Sequence, residues 1–430
     1  MKYHFIGIKG SGMSSLAQVL HDLGNNVQGS DIPEYIFTQE GLEERNISVL
    51  PFTKNNIDVG QIVIAGSSFN SKHEEVEKSK KIGVAMYKYN EFLGEFIKIF
   101  NSIAVTGTHG KTSITGMLSH VFNSVKPTNY LIGDGTGKGF SSATDFIFEA
   151  CEYKSHFLSY RPKLAIINNI DFDHPDYFDN IDSVRKVFYD FAEGIEERLF
   201  ANGDDQEIRK IEIEKPITYF GFSKSNNVFA QDILIEHSGL SFDVYINSEF
   251  HHRFHIKSFG NHSVMNALAV ISVCQYKGIE PSLIQAAFNK YKGVKRRFDE
   301  IKLNEQIIID DYAHHPTEIN ATIEAVRQKY PEKQLVAIFQ PHTESRTVKF
   351  LKEFSESLSK ADSVYLCDVF KSAREINGNN NINQLKKQID NVKSLNTSNL
   401  ELLTRHKDSV LLFMGAGDIQ KYRNSYLNLV

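Results

Sequence analysis

The segment with the clearest chemistry is a glycine loop between an apolar stretch and a helix-forming one. Residues 103–105 (Ile-Ala-Val) are followed by residues 106–112 (Thr-Gly-Thr-His-Gly-Lys-Thr). We expect a strand, a tight turn and a helix that begins near Thr112. Such a loop directs successive backbone N–H groups toward one point, where they can bind phosphate oxygens. In this pattern Lys111 reaches the β- and γ-phosphates and the Thr112 hydroxyl is a ligand for Mg²⁺, so the loop predicts ATP as a cofactor.

The loop is a shortened variant of the phosphate-binding pattern. The general pattern has a glycine five residues before the second one, and Val105 occupies that position here. An ordinary glycine turn between a strand and a helix is the alternative interpretation. The presence of Gly, Lys and Thr together at one strand–helix junction favours the phosphate loop.

A second glycine turn lies near the N-terminus, at residues 7–13 (Gly-Ile-Lys-Gly-Ser-Gly-Met). Its spacing is G-x-x-G-x-G, whereas a dinucleotide fingerprint is G-x-G-x-x-G, so a nicotinamide cofactor is not favoured. The turn can still present N–H groups to a diphosphate, with Asp31 in the place of a ribose-binding acid. A packing turn without a ligand is the alternative.

Acidic and imidazole side chains follow two buried-type strands of the predicted central sheet. Glu149 ends one strand, and residues 171–174 (Asp-Phe-Asp-His) follow another. Open α/β sheets bind ligands at the carboxyl ends of their strands. Glu149 and His174 could therefore hold a second Mg²⁺ beside the one at Thr112. The alternative is that Glu149 pairs with a nearby cation and His174 caps a loop.

Polar residues also follow three predicted strands in the last third of the chain. They occupy residues 310–316, 340–346 and 415–418. Three such strand ends in one domain predict a ligand face that closes over the ATP-binding domain. A basic run at residues 295–297 (Lys-Arg-Arg) precedes this domain, where an arginine could bind phosphate through a bidentate fork. A solvated surface is the alternative for this run.

Short apolar strands alternate with helical stripes, which predicts an α/β fold. We expect three domains. Residues 1–99 form a Rossmann-like domain, and residues 100–297 a central P-loop ATPase-like domain with appended antiparallel strands. Residues 298–430 form a C-terminal Rossmann-like α/β domain, in which residues 377–381 are predicted as an Asn/Gly-rich surface loop.

The composition of the chain limits which classes of protein it can belong to. A chain of 430 residues with 41% hydrophobic and 23% charged residues is typical of soluble proteins of two or three domains. A net charge of −5 argues against nucleic-acid binding. The chain has three cysteines, an odd number that cannot pair completely, and they lack metal-ligand spacing, which favours a reducing compartment. The absence of a signal-peptide pattern and of a long apolar run predicts a cytoplasmic protein without membrane insertion.

In this combination the chain resembles the Mur ligases, the ATP-dependent amide ligases of peptidoglycan precursor synthesis. The shortened phosphate loop is the first point of likeness. Further motifs follow in family order over essentially the whole chain. They are residues 7–14 (GIKGSGMS), 149–152 (EACE), 168–174 (NNIDFDH), 261–267 (NHSVMNA), 293–298 (GVKRRF), 310–319 (DDYAHHPTEI), 339–347 (FQPHTESRT) and 414–419 (MGAGDI).

The resemblance implies a role for each group of residues. The first domain would bind a UDP-sugar through Gly10, Ser11, Gly12, Ser30, Asp31, Ser67 and Ser68. The central domain would bind ATP through Gly107, Thr108, His109, Gly110, Lys111, Thr112 and Ser113, together with His262, Asn266, Arg297 and Asp311. Two Mg²⁺ ions would be held by Thr112, Glu149 and His174. The third domain would place His314, His315, His342 and Arg346 near the reacting carboxylate and the amine. The implied catalytic residues are Lys111, Glu149, His174, His314, His342 and Arg346.

The branch of the family with the most similar motifs implies the small-molecule substrates UDP-N-acetylmuramate and L-alanine. An acyl phosphate would form on the lactyl carboxylate, and a monomer or weak homodimer is expected. A recycling ligase that attaches an intact peptide to the same UDP-sugar is the alternative. The N-terminal glycine turn disfavours a folate-type polyglutamate ligase, and its spacing disfavours a nicotinamide-dependent dehydrogenase. A kinase would share the phosphate loop but would form a stable phosphate ester and need no amine.

Three positions depart from the commonest family pattern. Lys9 stands where a glycine is usual, and the stretch after Glu149 is less acidic than usual. Thr343 stands where many members carry arginine, which weakens the expectation that an arginine pair binds the substrate.

Overall fold

The computed structural model describes residues 1–370 and 382–430, and within these ranges the strands form three sheets of five, ten and six strands. The predicted three-domain α/β architecture is confirmed. The predicted domain boundaries, at residues 99/100 and 297/298, fall between the sheets. The predicted surface loop at residues 377–381 lies outside the described residues. Among the described residues, no helix combines the length and apolar character needed to cross a bilayer.

The first sheet is parallel throughout. Its strands are β1 (Lys2–Ile6), β2 (Asn26–Ser30), β3 (Ser48–Leu50), β4 (Gln61–Ala65) and β5 (Ala85–Lys88), in the order β3-β2-β1-β4-β5. The helices of this domain are α1 (Ser11–Asp22), α2 (Glu40–Glu43), α3 (Glu74–Ile82) and α4 (Tyr89–Phe96), with short 3-10 helices at Phe37–Gln39, Lys54–Asn56 and Ile97–Ile99. The central strand β1 is buried at four of its five residues, as expected for an apolar run flanked on both sides.

The second sheet is mixed. Its strands are β6 (Asn101–Thr106), β7 (Asn129–Leu131), β8 (Gly137–Lys138), β9 (Asp145–Glu149), β10 (Leu164–Ile167), β11 (Arg198–Asn202), β12 (Ile217–Gly221), β13 (Val228–Glu236), β14 (Gly239–Ile246) and β15 (Glu249–Ile256). The helices are α5 (Lys111–Val125), α6 (Ile181–Glu193), α7 (Gln206–Arg209), α8 (Asn261–Tyr276) and α9 (Pro281–Lys290), with a 3-10 segment at Tyr153–Ser159. The order β15-β14-β13-β12-β11-β10-β6-β9-β7-β8 shows that the predicted antiparallel strands continue the same sheet through β13, which pairs in parallel with β12.

The third sheet is parallel except at one edge. Its strands are β16 (Asp299–Leu303), β17 (Gln306–Asp311), β18 (Gln334–Phe339), β19 (Ser363–Leu366), β20 (Lys393–Ser394) and β21 (Ser409–Met414). The helices are α10 (Pro316–Lys329), α11 (Glu344–Lys349), α12 (Leu351–Leu358), α13 (Ile382–Gln388) and α14 (Ile419–Leu427), with a 3-10 helix at Leu400–Arg405. The order is β16-β17-β21-β18-β19-β20, with β16 antiparallel to β17. Since β17, β21 and β18 are neighbours, the three predicted polar strand ends leave the sheet side by side.

One hydrophobic cluster runs through the first two domains. It includes Phe5 and Leu16 of the first domain and Phe146 and Phe148 of the central sheet. Phe96 at the end of α4 makes an edge-on contact with Phe146, with ring centroids 5.7 Å apart. Because the burial of apolar surface is the main stabilising term in folding, a shared core predicts that these two domains move as one body.

Candidate active site between the three domains

The phosphate loop has the geometry of an anion-binding helix start. Gly107 and Gly110 have φ values of +133° and +83°, which glycine adopts without strain. A Cβ atom on Gly110 would lie 2.7 Å from Asn168 Nδ2 and 2.9 Å from Asn266 Oδ1. The backbone of Ile114 donates to the Gly110 carbonyl, so the N–H groups of the preceding residues belong to the open end of α5. The loop therefore fits a phosphate group.

Two asparagines that follow β10 hold this loop through the peptide groups of His109. The His109 N–H donates to Asn169 Oδ1 over 2.7 Å. Its carbonyl accepts from Asn168 Nδ2 at 3.2 Å and from Asn169 Nδ2 at 3.1 Å. Sheet register explains the contact, because Ile167 lies opposite Thr106, where the loop begins.

The Lys111 ammonium lies inside the loop and not on the surface. It donates to the carbonyls of Gly107 at 2.6 Å and Thr108 at 3.0 Å, and to the Glu152 carboxylate at 2.8 Å. Burial opposes the charge of Lys111, but the surrounding negative groups, Glu152 foremost, outweigh it and raise its pKa above the ordinary value. Glu152 is itself buried, at 2% exposure. The charge expected to face the β- and γ-phosphates is thus present and fixed in position.

Thr112 and Glu149 are in direct contact. The Thr112 hydroxyl donates to Glu149 Oε2 over 2.8 Å, and the Gly133 N–H donates to the same oxygen over 3.0 Å. Burial raises the pKa of Glu149, and Lys111 and Thr112 offset part of that effect. A cation bound here would stabilise the carboxylate, and hydroxyl and carboxylate oxygens are the ligands that Mg²⁺ prefers. This pair fits the predicted metal role.

His174 is connected to Lys111 of the phosphate loop through Glu152. Its Nε2 is 3.7 Å from Glu152, whose carboxylate connects it to Lys111. Burial lowers the pKa of His174, so the neutral ring keeps a lone pair for a ligand. Within the described part of the chain, His174 Nδ1 is buried without a hydrogen-bond partner. An unpartnered nitrogen of this kind is compatible with a metal ligand.

The C-terminal domain reaches the phosphate loop through His109. His109 Nε2 lies 3.2 Å from Asp171 Oδ2, and its Nδ1 lies 3.5 Å from Glu318 Oε1. Burial lowers the pKa of His109, but the two carboxylates outweigh it and raise the pKa to about 9. The Thr317 hydroxyl donates to Asp171 over 2.8 Å. His109 is therefore a cation held between carboxylates of two domains.

Two cavities meet at the phosphate loop. The larger, of about 970 Å³, lies between the central and C-terminal domains and is lined by His262, Asn266 and Asp311 among others. The smaller, of about 930 Å³, is lined by residues of all three domains, including Ser11, Lys111, Thr112, Glu149, His174, His314, His342 and Arg346. The two cavities share Gly110, Arg297 and Glu318 in their linings.

Two of the predicted nucleotide residues in the larger cavity, His262 and Asp311, are titratable. His262 is exposed on the cavity wall, and desolvation by the surrounding protein lowers its pKa to about 4, so its ring is neutral at pH 7. Burial raises the pKa of Asp311 to about 6, while Arg297 and two backbone N–H groups oppose the rise. Those N–H donors are Phe298 at 2.9 Å and Ala313 at 2.8 Å.

The predicted third-domain residues are only partly brought together. His314 Nδ1 lies 3.0 Å from Glu318 Oε2, and the His314 and His342 rings are 6.0 Å apart. Arg346 donates to the His342 carbonyl over 3.3 Å. His315 differs: its Nδ1 accepts from Thr317 N–H and caps α10, and its ring packs 4.8 Å from that of His109. In the part of the chain that the structure describes, His315 lines neither cavity.

The glycine turn of the first domain is held by Lys9. The Lys9 N–H donates to Asp31 Oδ2 over 2.7 Å, and its ammonium donates to the carbonyls of Ile32 and Glu34. Lysine at this position therefore ties the turn to the segment after β2. Gly10, Ser11 and Gly12 begin α1, and Ser67 and Ser68 are exposed after β4, at the same edge of the sheet.

Ser30 is placed differently from the prediction for a substrate-binding hydroxyl. Its Oγ donates to Glu75 Oε2 over 2.5 Å, and His4 Nε2 lies 3.5 Å from the same oxygen. All three side chains are fully buried. The hydroxyl is thus part of a buried polar network below the sheet edge.

Several residues of this site were not predicted individually, although they lie inside the quoted motifs. Glu152 holds Lys111, Asp173 pairs with Arg346, and Glu318 contacts His109 and His314. Each is an acidic residue within four positions of a predicted one. That proximity was the available signal. The partners Lys111 of Glu152, Arg346 of Asp173 and His109 of Glu318 lie far away in the sequence, the last two in another domain than the acid that they contact.

Comparison with known proteins gives the same family along the chain. Residues 2–101 match the model "Mur ligase family, catalytic domain", residues 105–274 "Mur ligase middle domain" and residues 296–417 "Mur ligase, glutamate ligase domain". The UDP-N-acetylmuramate-alanine ligase of Thermotoga maritima is similar in structure, with a TM-score of 0.84 and 24% identity over 100% of this chain and 99% of that one. A murein peptide ligase of Psychrobacter arcticus gives a TM-score of 0.74 and 22% identity over 100% and 98%. The MurF ligase of Thermotoga maritima, solved in complex with ADP, gives 0.69 and 15% over 88% and 96%.

Proposed function

The chain belongs to the Mur ligase family of ATP-dependent ligases of peptidoglycan synthesis, and on that premise we propose that it joins L-alanine to the lactyl carboxylate of UDP-N-acetylmuramate. The observation that carries the proposal is the smaller cavity, where Ser11, Lys111 and Arg346 from three different domains line one space. A ligase needs such a space, because a sugar carboxylate, a γ-phosphate and an amine must meet there. The resemblance of the motifs to the alanine-adding branch of the family, together with the structural similarity to a UDP-N-acetylmuramate-alanine ligase, supports alanine as the amine.

In this proposal, the adenosine part of ATP occupies the larger cavity, beside His262, Asn266 and Asp311. The triphosphate then passes Gly110, which lines both cavities, and presents its γ-phosphate to the smaller one. Thr112, Glu149 and His174 would hold Mg²⁺, which when bound supplies positive charge against the phosphate oxygens. Lys111 adds its own fixed charge at the same place.

The UDP-sugar enters from the first domain, with its diphosphate at the glycine turn that begins α1. One lactyl carboxylate oxygen attacks the γ-phosphorus, the bond to the β-phosphate oxygen breaks, and an acyl phosphate and ADP result. Lys111 stabilises the charge that develops on the transferring group. The activated carbonyl carbon is then open to attack by an amine.

The amine must lose a proton as it attacks, and His314 is the base favoured by the geometry. Glu318 lies 3.0 Å from His314 Nδ1 and fixes the proton there, so Nε2 is the nitrogen with a free lone pair. His342 lies beside it and stays the second candidate. Attack on the acyl phosphate gives a tetrahedral intermediate, from which phosphate leaves and the amide forms.

Water competes with the amine for the acyl phosphate, and closure of the third domain would exclude it. The buried interdomain contacts of His109 and Arg346 support a closed arrangement of this kind. We further infer a cytoplasmic protein, where ATP is available, that is a monomer or weak homodimer.

The test is phosphate release from Mg·ATP and UDP-N-acetylmuramate, with and without L-alanine, glycine, L-serine or a tripeptide. Release that requires both the sugar and L-alanine, with the matching mass gain in the product, is expected. Release that requires the tripeptide would identify the recycling ligase instead. If no acceptor gives release, the proposed substrates are wrong. The Lys111→Ala variant serves as the blank for contaminating ATPases.

A further inference from the structure

The turn after β7, strand β8 and the residue that follows it contain four glycines in eight residues, and this segment contacts the first domain as well as its own. We call residues 132–139 (Ile-Gly-Asp-Gly-Thr-Gly-Lys-Gly) the glycine hairpin. It belongs to the central domain, contacts α1 of the first domain, hydrogen-bonds to Glu149 and also contacts the segment that leads to the third domain.

On its outer side the hairpin is bound to α1 by buried side chains. Gln18 Nε2 donates to the Gly135 carbonyl over 2.7 Å, and Gln18 Oε1 accepts from the Gly137 N–H over 3.2 Å. The Ser15 hydroxyl donates to the Ile132 carbonyl over 2.9 Å. Gln18 is 1% exposed. One side-chain amide thus satisfies a donor and an acceptor of the neighbouring domain.

The backbones of hairpin and helix are also in close contact. A Cβ atom on Gly137 would overlap the Ser15 carbonyl oxygen, and one on Gly139 would lie 2.6 Å from the Val19 carbonyl oxygen. Neither obstacle is a flexible side chain, so glycine is required by space at both positions. Such close packing transmits displacement, because neither partner can shift without the other.

On its inner side the hairpin reaches the candidate metal site. The Gly133 N–H donates to Glu149 Oε2, the same oxygen that accepts from the Thr112 hydroxyl. The next residue, Asp134, accepts from the Lys295 N–H over 3.2 Å, just before the third domain begins. The path from α1 to the Glu149 carboxylate is therefore continuous: Gln18, the hairpin backbone, and the Gly133 N–H.

We propose that Gln18 is a positioning residue for Glu149, acting through the glycine hairpin, so that the first domain sets the geometry of the metal-binding carboxylate. Because Gln18 belongs to α1, the helix that begins at the glycine turn, this contact also connects the sugar-nucleotide end of the site with the Mg²⁺ end. The inference rests on the proposed metal role of Glu149 but not on the identity of the sugar or the amine.

The experiment compares the wild-type protein with Gln18→Met, which keeps the shape of the side chain and removes both interdomain hydrogen bonds. Hydrogen exchange of the hairpin amides and calorimetric binding of ADP at increasing Mg²⁺ are measured. Faster exchange at residues 132–139 is expected. The Mg²⁺ concentration for half-maximal ADP affinity should rise roughly tenfold, the effect typical of losing a group that orients a metal ligand.

Gly41→Ala gives a second, independent perturbation, because its Cβ would lie 2.6 Å from Gln18 Oε1 and displace the amide. Gln285→Met is the matched control: Gln285 also bridges a backbone N–H and a backbone carbonyl, both of His255, but within the central domain. This control should leave the Mg²⁺ dependence of ADP binding unchanged.

Unchanged Mg²⁺ dependence in both Gln18→Met and Gly41→Ala would overturn the proposal, as would an equal shift in Gln285→Met. ADP binding by the wild type that does not respond to Mg²⁺ would also overturn it. Failure of the alanine ligation assay alone would leave this inference standing, because ADP and Mg²⁺ are its only probes. The two proposals can therefore fail separately.

Discussion

Arg346 of the C-terminal domain donates through Nε to Asp173 of the central domain over 2.8 Å, and both side chains are buried, at 3% and 6% exposure. Asp173 directly precedes the predicted site residue His174, and Arg346 is itself a predicted site residue, four positions after His342. Burial opposes the charge of Asp173, but Arg346 outweighs it and lowers the pKa of that carboxyl well below its usual range. The two domains are thus joined by a buried ion pair at the site itself.

Replacing Arg346 by alanine should both open the site and destabilise the chain. Removing one partner of a buried pair leaves an uncompensated charge, which costs about 3–5 kcal/mol. We expect a drop of that size in the free energy of unfolding by urea, and a strong loss of kcat. Arg327→Ala is the control, since its pair with Asp362 is partly exposed, at 33% and 44%, and surface pairs contribute about 0–1 kcal/mol. Equal losses in the two variants would contradict the role given to Arg346.

Lys111→Ala should abolish turnover while the chain still folds. In this variant the buried Glu152, at 2% exposure, would lose its cationic partner, so the melting temperature should also fall. The double variant Lys111→Ala/Glu152→Gln removes both charges and should recover the melting temperature but not phosphate release. Unchanged activity of Lys111→Ala would end the phosphate-loop interpretation.

The stability of the protein should decrease in alkaline solution because of His109. Its pKa is about 9 in the folded chain against an ordinary 6.5, so the protonated ring stabilises the fold. This contribution is complete below pH 6.5 and is lost as the pH rises through about 9. In His109→Gln, the decline in unfolding free energy between these pH values should be smaller. A wild-type decline that persists unaltered in the variant would refute the assignment.

Thr112→Val should weaken nucleotide binding only when Mg²⁺ is present. The variant keeps the shape of the side chain but loses the hydroxyl that contacts Glu149 and that is expected to bind the metal. Thr112→Ser retains the hydroxyl and is the matched control. Calorimetric titration of ADP in Mg²⁺ and in EDTA separates loss of a metal ligand from general damage to the loop. An equal loss of ADP affinity in both media would show damage to the loop and not to a metal site.

The parts of the site formed by one continuous segment could be predicted from the sequence. Gly107, Gly110, Lys111 and Thr112 lie on one loop between β6 and α5, so their relative positions follow from local geometry. Glu149 was predicted as well, since it ends a buried strand, and the register places it opposite Val105, beside the loop.

The parts of the site that depend on how the domains pack could not be predicted from the sequence. Nothing near Glu318 in the sequence shows that its carboxylate contacts His109 as well as His314, because the angle of the third domain decides the contact with His109. Ser30 has the polar hydroxyl expected of a ligand contact, yet Glu75, 45 residues away, accepts it into a buried network. The sequence pattern identifies side chains that could bind a ligand, whereas burial in the folded chain decides which of their oxygens face it.

The shared wall of the two cavities has a consequence for inhibition. On the proposed assignment, a nucleotide and a sugar occupy separate cavities that meet at Gly110, Arg297 and Glu318. A single compound that fills both would lose its translational freedom once, whereas two separate ligands lose it twice. Its linker would have to pass Gly110 at the open end of α5, where backbone N–H groups can bind anionic oxygens. An anionic, phosphate-like linker is therefore the chemistry that a bisubstrate inhibitor of this protein requires.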